Sequence, residues 1–121
     1  MFILTKDPGS HILSVEAADK ITHEDYRDAL IPAAETMIQG GPIKVLCVVR
    51  SDLSGVAIEA LWDDSKFGVK HWHDISHMAL VSDHTWIRVA SSLFAPFYPA
   101  KIKLFKLDQL ASATQWIASI A

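Results

Sequence analysis

Residues 45–49, Val45-Leu46-Cys47-Val48-Val49, are apolar at every position and stop at a short polar turn, Arg50 to Gly55. A run with no wet face suits a strand covered on both sides, as in a mostly parallel sheet with helices over it. The turn carries Ser54, a residue type that caps helices, followed by Gly55. Beyond it Ile58, Leu61 and Trp62 recur at helical spacing. The sequence therefore predicts a central strand feeding a helix that begins at Ser54. In open α/β sheets functional groups gather where strands end and helices begin, so this turn is the first place to look for a site.

The flanking segments fit the same layout. Phe2 to Thr5 reads as a strand, and Asp7-Pro8-Gly9-Ser10 as a tight turn in which proline sets φ and Gly9 accepts a positive φ. In His11 to Ala17, Leu13, Val15 and Ala17 alternate with Ser14 and Glu16, which places the resulting hairpin at a sheet edge. Thr22 opens a helix with acidic residues in its first turns, Pro32 is expected to kink or break it, and Gly40-Gly41-Pro42 ends it. Met78 to Val81 is a further buried strand. The helix after it carries Trp86, Ile87, Val89, Ala90 and Leu93. Lys101 to Phe105, with alternating lysines, reads as an edge strand, and Asp108 as the cap of a last helix with Trp116 on its stripe. The order β-β-α-β-α-β-α-β-α predicts one domain over residues 1–121. It is α/β, with a mostly parallel five-stranded sheet, an N-terminal hairpin at the edge and about four helices.

At 121 residues, half of them hydrophobic, the chain has material for a substantial core. A net charge of −3 argues against a broad nucleic-acid footprint. Cys47, the one cysteine, reads as a buried inert thiol. Met1 to Asp7 lacks the basic region and long apolar core of a signal peptide. No stretch approaches the ~20 apolar residues of a membrane span. A cytoplasmic protein is expected, free or at the periphery of a membrane.

The candidates for chemistry are few. His73 and His77 are four apart, but the strand that follows breaks any helix they would share, and His71 points elsewhere. With neither Cys nor Glu in the group, solvated or capping histidines are expected, and no metal. Asp63 and Asp64 are adjacent and do not face one another on a helix, so they read as a solvated face. There is no nucleophile elbow, phosphate loop or dinucleotide fingerprint. The chain is expected to be no enzyme and to need no cofactor. Four tryptophans are generous for this length. Trp86 and Trp116 read as core. Trp62, Phe67 and Trp72 cluster about the end of the second helix, and Phe94 and Phe97 lie in a Pro-rich connection near the surface. These five are the candidate ligand-binding residues, with Lys101, Lys103 and Lys106 nearby as attraction for anionic headgroups.

Several short motifs, taken in order, carry a resemblance. They are Ile21-Thr22-His23-Glu24-Asp25-Tyr26, Ala60-Leu61-Trp62-Asp63-Asp64 with Phe67-Gly68, and Met78-Ala79-Leu80-Val81-Ser82-Asp83 with Trp86. Phe105 and Ala113-Thr114-Gln115-Trp116-Ile117 complete the set. On these the chain resembles the SpoIIAA-like proteins, a branch of the STAS fold, the group that includes the anti-sigma-factor antagonists. The same structural group is similar to the CRAL-TRIO lipid-transfer fold, which implies apolar ligands. The antagonist branch carries Asp-Ser-Ser/Thr-Gly at the start of the helix after the central strand, and its first serine takes a phosphate. Here the matching stretch is Asp52-Leu53-Ser54-Gly55. Asp52 and Gly55 fit, Leu53 has no hydroxyl, and Ser54 is left as candidate phosphoacceptor or anion site. Three functions are thus in view. The first is a non-enzymatic module for an apolar or amphipathic ligand, a membrane surface or a partner, gated by the second helix. The others are a phospho-regulated antagonist and a metal-dependent enzyme. A homodimer through an edge strand or the aromatic connection is compatible with each.

Overall fold

The computed structural model describes residues 1–120. The strands are β1 (Phe2–Asp7), β2 (Ile12–Ala17), β3 (Lys20–Ile21), β4 (Ile43–Val49), β5 (Gly55–Val56), β6 (Ile75–Val81) and β7 (Lys101–Phe105). The helices are α1 (His23–Asp25), α2 (Ile31–Ile38), α3 (Ile58–Lys70), α4 (Thr85–Phe94) and α5 (Leu110–Ser119). A π-helical turn, Tyr26–Leu30, joins α1 and α2 into one stretch. Pro32 therefore does not break this helix. Proline collides with the carbonyl four residues back in a regular turn, and the widened turn just before it relieves that contact.

The main sheet runs β1-β2-β4-β6-β7, with β1 antiparallel to β2 and all other pairs parallel. The apolar run is the central strand and β7, with its alternating lysines, is one edge; the N-terminal hairpin lies at the other edge through β1, with the alternating β2 inside it, between β1 and β4. The chain crosses the sheet in one direction, strand by strand. Right-handed crossovers then put α1–α2, α3 and α4 on the same face. Leu13, Val15, Val45 and Ile75 meet Ala34, Met37 and Tyr98 on that face. Among the described residues the opposite face holds only α5, whose Ala113 and Ile117 pack on Leu46, Ala79, Val81 and Phe105.

Three local expectations are corrected. The turn after β1 is a 3₁₀ turn, Pro8–Ser10, whose left-handed residue is His11 (φ 56°) rather than Gly9. Ser54 does not cap α3. It lies three residues upstream of Ala57, the actual N-cap, because Gly55–Val56 pairs as a short strand with Lys20–Ile21. The Ser54 hydroxyl donates instead to the Asp19 carbonyl at 3.1 Å. Asp108 does not cap α5 either. The Gln109 side chain accepts from the Lys106 amide, and Asp83 accepts from the Leu107 amide.

Candidate functional site

Three crossover segments lie over one sheet face without filling the space beneath them. A cavity of about 470 Å³ remains between the sheet, the first helical stretch, α3 and α4. Its floor is the apolar face of the sheet, including Val45, Cys47, Met78, Leu80 and Ile102. Leu61, Ser65 and Val69 of α3 and Trp86, Ala90 and Phe94 of α4 line it and are also exposed, so its mouth lies between these helices. The chain reverses nowhere among the parallel strands, so the crevice of a doubly wound sheet is absent and the hollow lies under the helices instead.

The orientation of α3 decides the chemistry of this hollow. Its apolar residues Ile58, Leu61 and Trp62, which recur at helical spacing, are exposed, Leu61 at the mouth of the cavity. The inward positions are Ala60, Asp64, Phe67 and His71, spaced one helical turn apart. The helix is held in this rotation by polar contacts with the first helical stretch. His23 Nδ1 meets Asp63 Oδ2, and the Tyr26 hydroxyl donates to Asp64 Oδ1 at 3.0 Å. Lys70 Nζ donates to Glu35 Oε2 at 2.8 Å, and His71 Nε2 lies 3.0 Å from the same oxygen. His71 Nδ1 faces Asp74 Oδ2 at 2.7 Å. From the other side the Tyr98 hydroxyl donates to the Gly68 carbonyl at 2.9 Å.

Asp64 lines the cavity and protein crowds its carboxyl, although the residue as a whole is exposed. Burial raises its pKa above the usual carboxylate range, more than the Tyr26 hydrogen bond lowers it. Burial likewise raises the Tyr26 phenol, with Asp64 adding to the effect. Cys47 is pushed up to about 12 by burial and by Asp64. Tyr26 and Asp64 are hydrogen-bonded on a largely apolar wall that Ser65 and Ser91 also line, and no sequence signal joined them across 38 residues.

Of the aromatic residues singled out from the sequence, Phe67, Trp72 and Phe94 line the cavity. Trp72 stacks edge-on against Tyr98, with ring centroids 4.7 Å apart. Trp62 and Phe97 are exposed and lie outside it. Trp86, expected in the core, is half exposed at the mouth, whereas Trp116 packs beside Phe105 on the α5 face. Lys103 sits over Phe105 and Trp116, so the lysines of β7 belong to the face opposite the aromatic mouth. Asp52 pairs with Arg50 at 3.3 Å, Ser54 bonds to the Asp19 carbonyl and Gly55 lies in the β3–β5 pairing, so no helix N-terminus is presented there to an anion. Leu53 is buried against the cavity. His77 is within β6 and His73 is in the turn before it, so the two share no helix face. A second, open depression lies beside Asp83 and Arg88. Arg88 is committed there to the carbonyls of Ser82 and Phe105, and Asp83 to the Leu107 amide, so it is a hydrogen-bonded joint between elements.

Comparison with known proteins agrees with this architecture. No curated protein matches the chain. Among solved structures it is similar to an uncharacterised protein of the DUF3478 family with a SpoIIAA-like fold from Shewanella loihica PV-4. The identity is 28%, the TM-score 0.76, and the match covers 97% of this chain and 92% of that one. The family model described as SpoIIAA-like matches residues 12–118, from the first residue of β2 to the last turn of α5, and the chain belongs to that family.

Proposed function

We propose that this chain is a non-enzymatic binding module that holds a small apolar or amphipathic molecule between the sheet and helices α3 and α4. The observation that carries the reading is the cavity itself. A hollow of about 470 Å³ with a greasy floor and a mouth between two helices has the size and lining of a small-molecule site. An apolar hollow of this kind gains free energy when an apolar guest fills it. A binding role is favoured over catalysis by the groups on the wall. The Cys47 thiol, pushed up to about 12 by burial, has little thiolate to offer, and among the described residues no His or Lys lines the cavity to serve as a base beside it. Outward movement of α3 would widen the mouth. The kinship with lipid-transfer folds drawn from the sequence is part of this proposal and rests on the same hollow.

The test is a titration with N-phenyl-1-naphthylamine, which fluoresces in apolar surroundings, together with native mass spectrometry of the purified protein. Saturable one-to-one enhancement, or a co-purified apolar species, is expected. No enhancement and no bound species would overturn the reading.

A second reading, contact with a bilayer, is favoured by the rim. Ile58 (71% exposed), Trp62 (64%), Leu93 (71%) and Phe97 (77%) project from α3, α4 and the turn after α4. Large apolar residues exposed on these elements suit a surface that dips into lipid. Co-flotation with liposomes of neutral lipid is the expected outcome, and its absence would remove this reading alone.

A further inference from the structure

We infer that the cavity selects an amphiphile by its head group: a hydrogen-bond donor, an amine before a hydroxyl, seated on Asp64, with carboxylates disfavoured. The inference rests on the cavity reading above and goes on to name the class of guest.

Asp64 sits on the inward line of α3, and its free surface opens into the hollow. One of its oxygens, Oδ1, receives the Tyr26 hydroxyl hydrogen. Among the described residues no other side chain or amide donates to this carboxyl, and no Lys, Arg or His lines the cavity. An acid that opens on a largely apolar hollow, with one neutral donor and no cation beside it, keeps acceptor capacity for a guest. A carboxyl brought under an apolar guest is ordinarily completed by a counter-charge or further donors. A guest that brings an ammonium group supplies both, and in such surroundings a charge-assisted hydrogen bond is stronger than in water. A hydroxyl supplies the donor without the charge. A guest carboxylate would set acid against acid with no cation between them. The apolar sheet face beyond, including Met78, Leu80 and Ile102, takes the tail whatever the head. Discrimination therefore falls on Asp64.

The experiment displaces bound N-phenyl-1-naphthylamine with dodecylamine, dodecanol and dodecanoate at pH 7, each kept below its micelle concentration or solubility limit. For the parent protein, dodecylamine is expected to displace the probe at about tenfold lower concentration than dodecanol, and dodecanol below dodecanoate. In Asp64→Asn the probe is expected still to bind, and the three competitors to act within about threefold of one another. Tyr26→Phe, which removes the neighbour and keeps the acid, is expected to preserve the parent's order, and it decides the question if the first variant does not fold. Equal displacement by all three, dodecanoate as the best competitor, or loss of the order in Tyr26→Phe would overturn the head-group inference and leave the cavity reading standing. Failure of the probe itself to bind the parent would overturn both.

Discussion

His71 and Glu35 meet at 3.0 Å across 36 residues and pin the last turn of α3 to α2. His71 is buried, and Lys70 shares the same carboxylate oxygen. Burial makes the contact costly to lose, because a ring nitrogen left without a partner keeps its desolvation penalty. Glu35→Ala is expected to lower unfolding stability by about 1–2 kcal/mol in urea. Amide exchange should quicken in α3 while β4 and β6 remain protected. Uniform loss of protection across the sheet would contradict this picture of a locally tethered helix.

Asp64 gives a pH dependence with a definite sign. Its folded pKa lies above its unfolded one, because burial opposes the charged form. Below the ordinary carboxylate pKa the group is protonated in both states and costs the fold nothing. As pH rises from there through the raised folded value, the unfolded chain ionises first and stability is lost. The neighbours that face it, Tyr26 and Cys47, stay protonated throughout this range. Asp64→Asn keeps the oxygen that receives the Tyr26 hydrogen and removes the titration. Its urea midpoint should match the parent's in acid and exceed it at neutral pH, while the reverse order would be inconsistent with an enclosed carboxyl.

Cys47 lies on the cavity floor beside this pair. Its thiol should react slowly with Ellman's reagent at pH 8, at least tenfold slower than in urea, since only the thiolate attacks. Cys47→Phe directs a ring into the hollow. The variant should lose naphthylamine binding and keep or gain up to about 1 kcal/mol of stability, because filling an empty apolar space restores packing contacts. A loss of several kcal/mol would mean that the space is not available to a side chain.

The rim makes a separate prediction. Leu93→Glu and Phe97→Glu alter residues that are 71% and 77% exposed and should change unfolding stability by less than about 0.5 kcal/mol each. Together they should abolish liposome co-flotation while naphthylamine binding persists. Loss of probe binding in the double variant would merge the two surfaces into one.

The layered fold was legible because its signals are local. The run from Val45 to Val49 has no wet face, and the alternation in Lys101 to Phe105 does, so centre and edge could be told apart. The site was legible only in part. The spacing of Ile58, Leu61 and Trp62 marked α3 as a helix but not which way it faces; these three are exposed, whereas an apolar stripe ordinarily faces a filled core. This helix covers a hollow, and its rotation is set by His23, Tyr26 and Glu35, all distant in sequence. The same nonlocality explains Ser54. A two-residue strand pairing with Lys20–Ile21 delays the helix past it, and nothing in the turn's own composition announces that partner. The one signal that was present is the spacing of Ala60, Asp64, Phe67 and His71, a helical line with an acid in it.

The π-helical turn at Tyr26–Leu30 adds a residue to the circuit that an ordinary helix would complete without it. Each residue carries the chain about 100° around the axis. Deleting one position from this turn would restore the regular coil and swing the phenol of Tyr26 a quarter-circle or more away from the acid it serves. The meeting of phenol and carboxyl is therefore written into a single surplus residue on the helical stretch that lies across from α3.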